Sequence, residues 1–324
     1  MKSKIWSTGV CKNTGLILVL FTGILLFSTC SSQKWIMGKQ EYQSFVENQK
    51  GQVLANGHHI QYIDSGSSEK VILLVHGVPT SGWLYRNMIS PLVEKGYRVI
   101  VPDMLGYGNS DKPKGYEMYA PDKMGGYLLE LMDSLKINNW THVCHDAGGL
   151  WTWELVKKDS MRIEHLVLLN TIILKEGFNP PIQMKKNIFS RLYVKMYTSF
   201  LSRKSSIKAT IKGGLENKEL CNPNMLVGYI KPTKSHLDRA LFQFFSNTYV
   251  KDLPDYKPVL QKIKCPVTVI WGKNDEILVW EKQAETVKKL LNIKDSDIHI
   301  LENAKHFIQE EKPMEIVEFI AGSN

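Results

Sequence analysis

The strongest constraint in this 324-residue chain is a rhythm. Short runs that are apolar on both faces, at 71–75, 98–101, 141–144, 165–169, 267–271 and 297–301, alternate with longer helical patterns at 122–135, 147–157 and 281–290. A strand apolar on both faces must be covered on both. Parallel neighbours joined by crossover helices meet that demand, so the pattern predicts a mostly parallel central sheet with helices on both sides, an α/β fold. With 43% hydrophobic residues the chain can fill such a core. Before the first run, residues 52–55 and 59–64 flank Asn56-Gly57, a pair that supplies the positive φ angles of a tight hairpin.

The rhythm breaks between residues 171 and 254, which hold no clear strand, are rich in Lys, Tyr, Phe and Met, and suggest several short helices. An insertion here would lie over the carboxyl ends of the strands, where open α/β sheets bind ligands. It is predicted to be a helical cap. The expected organisation is a leader at 1–30, a polar tether at 31–50, the first part of the core at 51–170, the cap at 171–254 and the second part of the core at 255–324.

The leader has its own signature. Lys2, Lys4 and Lys12 precede the uncharged apolar run 16–27 and then Ser28-Thr29-Cys30-Ser31-Ser32. A basic start, a short apolar stretch and a small-residue exit match a secretory signal, and the run is short of the roughly 20 apolar residues of a membrane span. Cys30 stands where a bacterial lipoprotein signal places its lipidated residue, although Phe27 and Thr29 depart from the usual pattern. The expectation is an exported protein, membrane-anchored through Cys30 or periplasmic; an uncleaved anchor and free secretion are the alternatives.

Removing residues 1–29 deletes three lysines and no acid, so the formal charge falls from +9 to +6. The rest of the excess is spread out and lacks a nucleic-acid module, so no nucleic-acid partner is expected. Cys144, Cys221 and Cys265 are too far apart for a disulfide framework or a metal site. No metal or cofactor is expected.

The chemistry centres on Cys144-His145-Asp146-Ala147-Gly148-Gly149. Here a strand turns sharply into a helix, with small residues on either side of the pivot, as a strained elbow requires. The pivot faces a helix N-terminus, which favours an anion, and it is Asp146. A carboxylate can displace a leaving group from saturated carbon and form an alkyl ester that water then cleaves; a serine doing the same would be left as a stable ether. The second step needs a base and a group to orient it. His306 follows the last predicted strand, and Asp275 follows the strand 267–271. After the strand 71–75, the turn His76-Gly77-Val78-Pro79 can aim the N–H of Val78 at the same point as the N–H of Ala147, making an oxyanion hole. His142, His145, Asp103 and Trp271 are expected to be structural.

Three segments resemble one family. They are residues 76–86 (His76-Gly77-Val78-Pro79-Thr80-Ser81-Gly82-Trp83-Leu84-Tyr85-Arg86), residues 102–113 from Pro102-Asp103 to Lys112-Pro113, and His306-Phe307-Ile308-Gln309-Glu310. All are similar to the haloalkane dehalogenases and epoxide hydrolases of the α/β-hydrolase fold, over roughly residues 50–320. The resemblance implies Asp146 as nucleophile, Asp275 as acid and His306 as base. Asn170 stands where one dehalogenase subgroup carries its acid. Dehalogenases usually hold the departing halide with a Trp after the nucleophile and a second donor in the cap or beside the oxyanion loop. Here the corresponding residues are Ala147 and Val78, and the cap has no Trp. Epoxide hydrolases polarise the leaving oxygen with cap tyrosines, which makes Tyr193, Tyr197, Tyr229 and Tyr249, with His236, the candidate donors.

The expected activity is hydrolysis of a small apolar organic substrate by water through an alkyl-enzyme ester, with epoxide opening first. A dehalogenase with an atypical halide site comes second, and a non-catalytic binding protein on the same scaffold third. The small side chains of Ala147 and Val78 also leave room for a lactone-like substrate.

Overall fold

The computed structural model describes residues 37–322 apart from Phe200 and Ser235. The expected leader, Cys30 and the first part of the tether lie outside the described residues. Eight strands form one sheet in the order β1-β2-β4-β3-β5-β6-β7-β8. The strands are β1 (Lys50–Val53), β2 (His59–Ser65), β3 (Val71–Val75), β4 (Arg98–Asp103), β5 (Trp140–Asp146), β6 (Ile163–Thr171), β7 (Val267–Gly272) and β8 (Ile298–Leu301). The first two are antiparallel, with Val53 opposite His59 across a turn in which Gly57 takes φ +79°. From β4 to β8 all pairings are parallel.

Every residue of β3, β5 and β7 is buried, as the apolar pattern demands. The helices that cover them form two packed sets. One joins α2 (Arg86–Glu94) to the C-terminal helix (Pro313–Gly322). The other runs through α3 (Pro121–Ser134), α4 (Gly148–Lys158), α9 (Lys257–Leu260) and α10 (Ala284–Leu291). Among the described residues no helix is long and apolar enough to cross a membrane.

The expected tether is not one throughout: residues 37–47 are helical (α1). Tyr42 and Phe45 are buried edge-on against Trp83, and this packing fixes a segment whose composition looks polar. Its apolar residues Tyr42, Phe45 and Val46 do fall at helical spacing, but over barely one turn of an otherwise polar stretch.

Between β6 and β7 lie α5 (Ile188–Tyr197), α6 (Arg203–Gly213), α7 (Pro223–Ile230) and α8 (Leu237–Asn247). Polar ties hold this layer to the sheet. The Trp83 indole donates to the Met225 carbonyl at 3.0 Å. The N–H groups of His306 and Phe307 both donate to the Gly214 carbonyl, at 2.9 and 3.0 Å. Arg86 grips Glu310 through two hydrogen bonds, and Tyr229 donates a short hydrogen bond to the same carboxylate.

Candidate active site

Strand β5 ends at Asp146, and α4 begins two residues later. Asp146 takes φ +49°, a left-handed conformation that costs a residue with a Cβ of order 1–3 kcal/mol. The close packing around it explains how the turn is held. A Cβ on Gly148 would lie 2.8 Å from the Val75 carbonyl oxygen, and one on Gly77 would lie 2.4 Å from Asp146 Oδ2. Only glycine lets the oxyanion loop and the elbow approach this closely.

The carboxylate of Asp146 is divided in function. Its Oδ2 accepts the Val78 N–H at 2.8 Å, and the Ala147 N–H also donates to this carboxylate. Its Oδ1 lies 3.9 Å from His306 Nε2. His306 Nδ1 lies 2.9 Å from Asp275 Oδ2, so the three residues expected to carry the chemistry meet in one buried cluster. Asn170 Nδ2 donates to the same Oδ2 at 2.7 Å, while its own Oδ1 accepts the Gly272 N–H at 2.8 Å. The other oxygen of Asp275 accepts the N–H groups of Ile277 and Leu278. Asn170 is therefore a brace for the acid, held in place at φ +30°.

Two histidines complete the frame. The Met104 N–H donates to His76 Nε2 at 2.9 Å, which leaves the proton on Nδ1 to donate to the Gly77 carbonyl at 2.7 Å. Burial lowers the pKa of His76 to about 4, so it braces the oxyanion loop as a neutral ring. His145 Nε2 donates to the His306 carbonyl at 2.9 Å. Sequence patterns could not reveal these bracing roles, because each depends on contacts between distant strands.

Burial raises the pKa of Asp146, opposed by the positive charge of His306 and by the two N–H donors. Burial also works against the His306 cation, but the charge and hydrogen bond of Asp275, with the charge of Asp146, outweigh it and raise His306 above its ordinary value. Asp275 itself is desolvated, yet His306, Asn170 and the Leu278 N–H hold it below the usual carboxylate range. Asp275 thus stays ionised and orients the imidazole.

The cluster opens into a cavity of about 110 Å³. Its walls are mostly apolar: Phe178, Leu241, Phe244, Phe245 and Phe307 line it, with three prolines. The polar side chains at its surface are those of Asp146, His306, Tyr197 and Thr210. Among the described lining residues there is no Trp, Asn, Arg or Lys.

Of the five candidate donors, only Tyr197 reaches this cavity. Its hydroxyl shares a short hydrogen bond with Thr210 Oγ1. Tyr229 is turned away and committed to Glu310. Tyr193 is exposed on the outer side of α5. Tyr249 lies under Lys185, whose ammonium is 5.4 Å from the ring. His236 is an exposed residue at φ +51° before α8, beside a separate surface hollow. The four that lie away from the cavity share one cause: a cap tyrosine or histidine looks the same in sequence whichever way its backbone turns it. Thr210 and the aromatic walls carried no chemical signal.

Known proteins share this architecture. The chain is 35% identical over 136 residues to a haloalkane dehalogenase of Psychrobacter cryohalolentis, a match covering 40% of this chain and 45% of that enzyme. It is 28% identical over 286 residues to a cis-3-alkyl-4-alkyloxetan-2-one decarboxylase of Shewanella oneidensis, covering 82% and 85% of the two chains. The solved epoxide hydrolase CorEH has the same fold, with a TM-score of 0.63 at 20% identity over 85% of this chain and 97% of that one. A match to the family described as alpha/beta hydrolase fold runs from residue 70 to residue 313. That range takes in every strand end and loop that builds the site, and the chain therefore belongs to the α/β hydrolase fold family.

Proposed function

We propose that this hydrolase opens a small apolar electrophile through an ester on Asp146, with an epoxide as the preferred class. The observation that carries this is the carboxylate of Asp146, with one oxygen held by the Val78 N–H, the Ala147 N–H also on the carboxylate, and the other oxygen near His306 beside an apolar cavity.

In the first half-reaction Asp146 Oδ1 attacks a ring carbon and the C–O bond breaks. The leaving alkoxide takes a proton from the Tyr197–Thr210 hydroxyl pair. In the second, His306 Nε2 removes a proton from water, and the resulting hydroxide attacks Cγ of Asp146. Negative charge collects on Oδ2, which already accepts the Val78 N–H, with the Ala147 N–H also donating to the carboxylate; such a donor is worth about 10²–10³ in rate. The Cγ–Oδ1 bond then breaks, His306 returns its proton to the departing oxygen, and a diol is released; Asp146 is left as a carboxylic acid, whose proton restores the Tyr197–Thr210 pair. Asp275 stabilises the imidazolium between these proton transfers.

Hydroxyl donors favour oxygen as the leaving atom. The second candidate is a haloalkane, favoured by the 35% identity to the dehalogenase. Among the described lining residues no indole and no side-chain amide is offered to a departing halide, which argues for slower release. The relative acting on an oxetan-2-one makes a strained lactone the third class to assay.

The test uses wild type and His306→Gln with epoxides, bromoalkanes and β-lactones, read by peptide mass spectrometry. The variant should accumulate a substrate-sized adduct on the peptide bearing Asp146, and epoxides should give it fastest. An adduct on a different residue would sink the mechanism. A folded wild type that turns over no class while binding apolar ligands would favour a binding protein.

The leader belongs to the proposal as well. The run 16–27 and Cys30 support export and attachment to a membrane, testable by metabolic labelling with a fatty-acid analogue and loss of label in Cys30→Ser.

A further inference from the structure

Helix α5 shows its apolar side to solvent. Ile188, Phe189, Leu192, Tyr193 and Met196 are between 42% and 79% exposed, and Leu201 just beyond the helix is 90% exposed. At about 100° per residue the five helix positions fill an arc of about 140°, with buried Val194 behind them. A contiguous apolar surface of this kind on a folded chain marks a place of contact.

The charge around it is one-sided. From Gly177 to Leu215 the chain has eight Lys and Arg residues and no Asp or Glu. All but Arg203 are exposed, among them Lys185 and Lys186 ahead of the helix and Arg191 and Lys195 along its flank. Exposed apolar residues bordered by cations are the pattern of a helix that lies in the plane of a lipid interface.

We infer that α5 and its basic flanks dock the cap on an anionic lipid bilayer, with Ile188, Phe189, Leu192 and Met196 entering the headgroup–acyl boundary. A second copy of the chain fits poorly, since a symmetric contact through this face would set the cations of one 177–215 segment against those of the other, and that segment holds no Asp or Glu. The N-terminal side supports the same orientation. Helix α1 lies against the cap, where Gly38 packs on Asn224 and Tyr42 lies under Lys231, and the residues before it in the chain include the apolar run 16–27. Stable attachment generally takes two membrane signals, and an anchor plus this face supplies them.

Docking would also place the cavity beside the lipid. Tyr197, on the last turn of α5, and residues 180–182, which lead toward it, line the cavity, and Pro181 is exposed. The docking surface does not depend on the chemistry of Asp146.

The test uses the full chain in vesicles, with Cys11, Cys30, Cys221 and Cys265 each replaced by Ser and a nitroxide at Leu192→Cys or, as reference, at Met161→Cys. Met161 is an exposed residue just before β6, at the opposite end of the strand from the site. In phosphatidylcholine mixed with phosphatidylglycerol, the label at 192 should sit about 5–10 Å into the boundary, gaining oxygen access and losing access to a nickel chelate, while the label at 161 stays in water. Charge reversal by Lys185→Glu, Lys186→Glu and Lys195→Glu should return it to water, since each cation is worth roughly fivefold in surface association. A label at 192 as wet as that at 161 in anionic vesicles overturns the docking. So does protection at 192 that appears without lipid and grows with protein concentration, which would point to contact between proteins.

Discussion

Replacing Asp275 with asparagine should separate the two half-reactions. Both oxygens of Asp275 already accept hydrogen bonds: Oδ1 from Ile277 and Leu278, Oδ2 from Asn170 and the His306 ring. Asn170 cannot turn its amide to compensate, because its oxygen is held by the Gly272 N–H. In Asp275→Asn, a new amide that keeps its oxygen toward Ile277 and Leu278 must aim its NH₂ at His306 Nδ1. The imidazole then carries its proton on Nε2, the atom that has to accept one from water. The lost charge matters as well: at an effective dielectric of about 20, a unit charge about 4 Å from the imidazolium is worth about 4 kcal/mol. In a serine hydrolase the same exchange costs about 10⁴ in rate, and a similar loss is expected here for ester hydrolysis. Attack by Asp146 needs no base, so alkylation should stay within about tenfold of wild type, a difference of about 1.4 kcal/mol. Rapid-quench mass spectrometry with an epoxide would show one equivalent of ester forming and persisting. If alkylation and hydrolysis fall together, or no ester builds up, the assignment of His306 to the second step is wrong.

Other outcomes follow from the same geometry. His306 is held above its ordinary value of 6.5 despite its burial, chiefly by Asp275, and it must be neutral to act. Turnover limited by ester hydrolysis should therefore fall as pH drops through a value above 6.5, and a pH profile of kcat that stays flat into the acid range would contradict this. Tyr197→Phe should slow epoxide alkylation by about 10²–10⁴, the usual range for a general acid, with less effect on a bromoalkane, as single-turnover rates would show. Arg86→Met leaves Glu310 buried without its cation, which should destabilise the chain by about 3–5 kcal/mol in chemical denaturation; a loss under about 1 kcal/mol, the scale of a single ordinary hydrogen bond, would mean that Tyr229 alone satisfies the carboxylate.

Much of the site could be read along the chain because its parts are local. The elbow around Asp146 is a short run of residues in which small neighbours are a steric necessity, and Asp275 and His306 each follow an apolar strand. The parallel sheet could be read too, since strands buried on both faces leave an unambiguous pattern. The cap was different. Tyr193 and Tyr197 are one helical turn apart on α5, yet one faces solvent and the other lines the cavity. Which way a helix turns is decided by what it packs against, and those partners come from elsewhere in the chain. Helix α1 escaped notice for the same reason, its packing resting on Tyr42, Phe45 and a distant Trp83.

Local sequence thus determined the fold class, the elbow that carries Asp146 and the strand ends that carry Asp275 and His306, through strand burial and elbow sterics that a few neighbouring residues impose. Only the tertiary structure decided that Asn170 and His76 brace the site, that Tyr197 alone of the candidate donors lines the cavity, and that α5 turns its apolar face outward. Each of these depends on long-range packing, which no stretch of neighbouring residues encodes by itself.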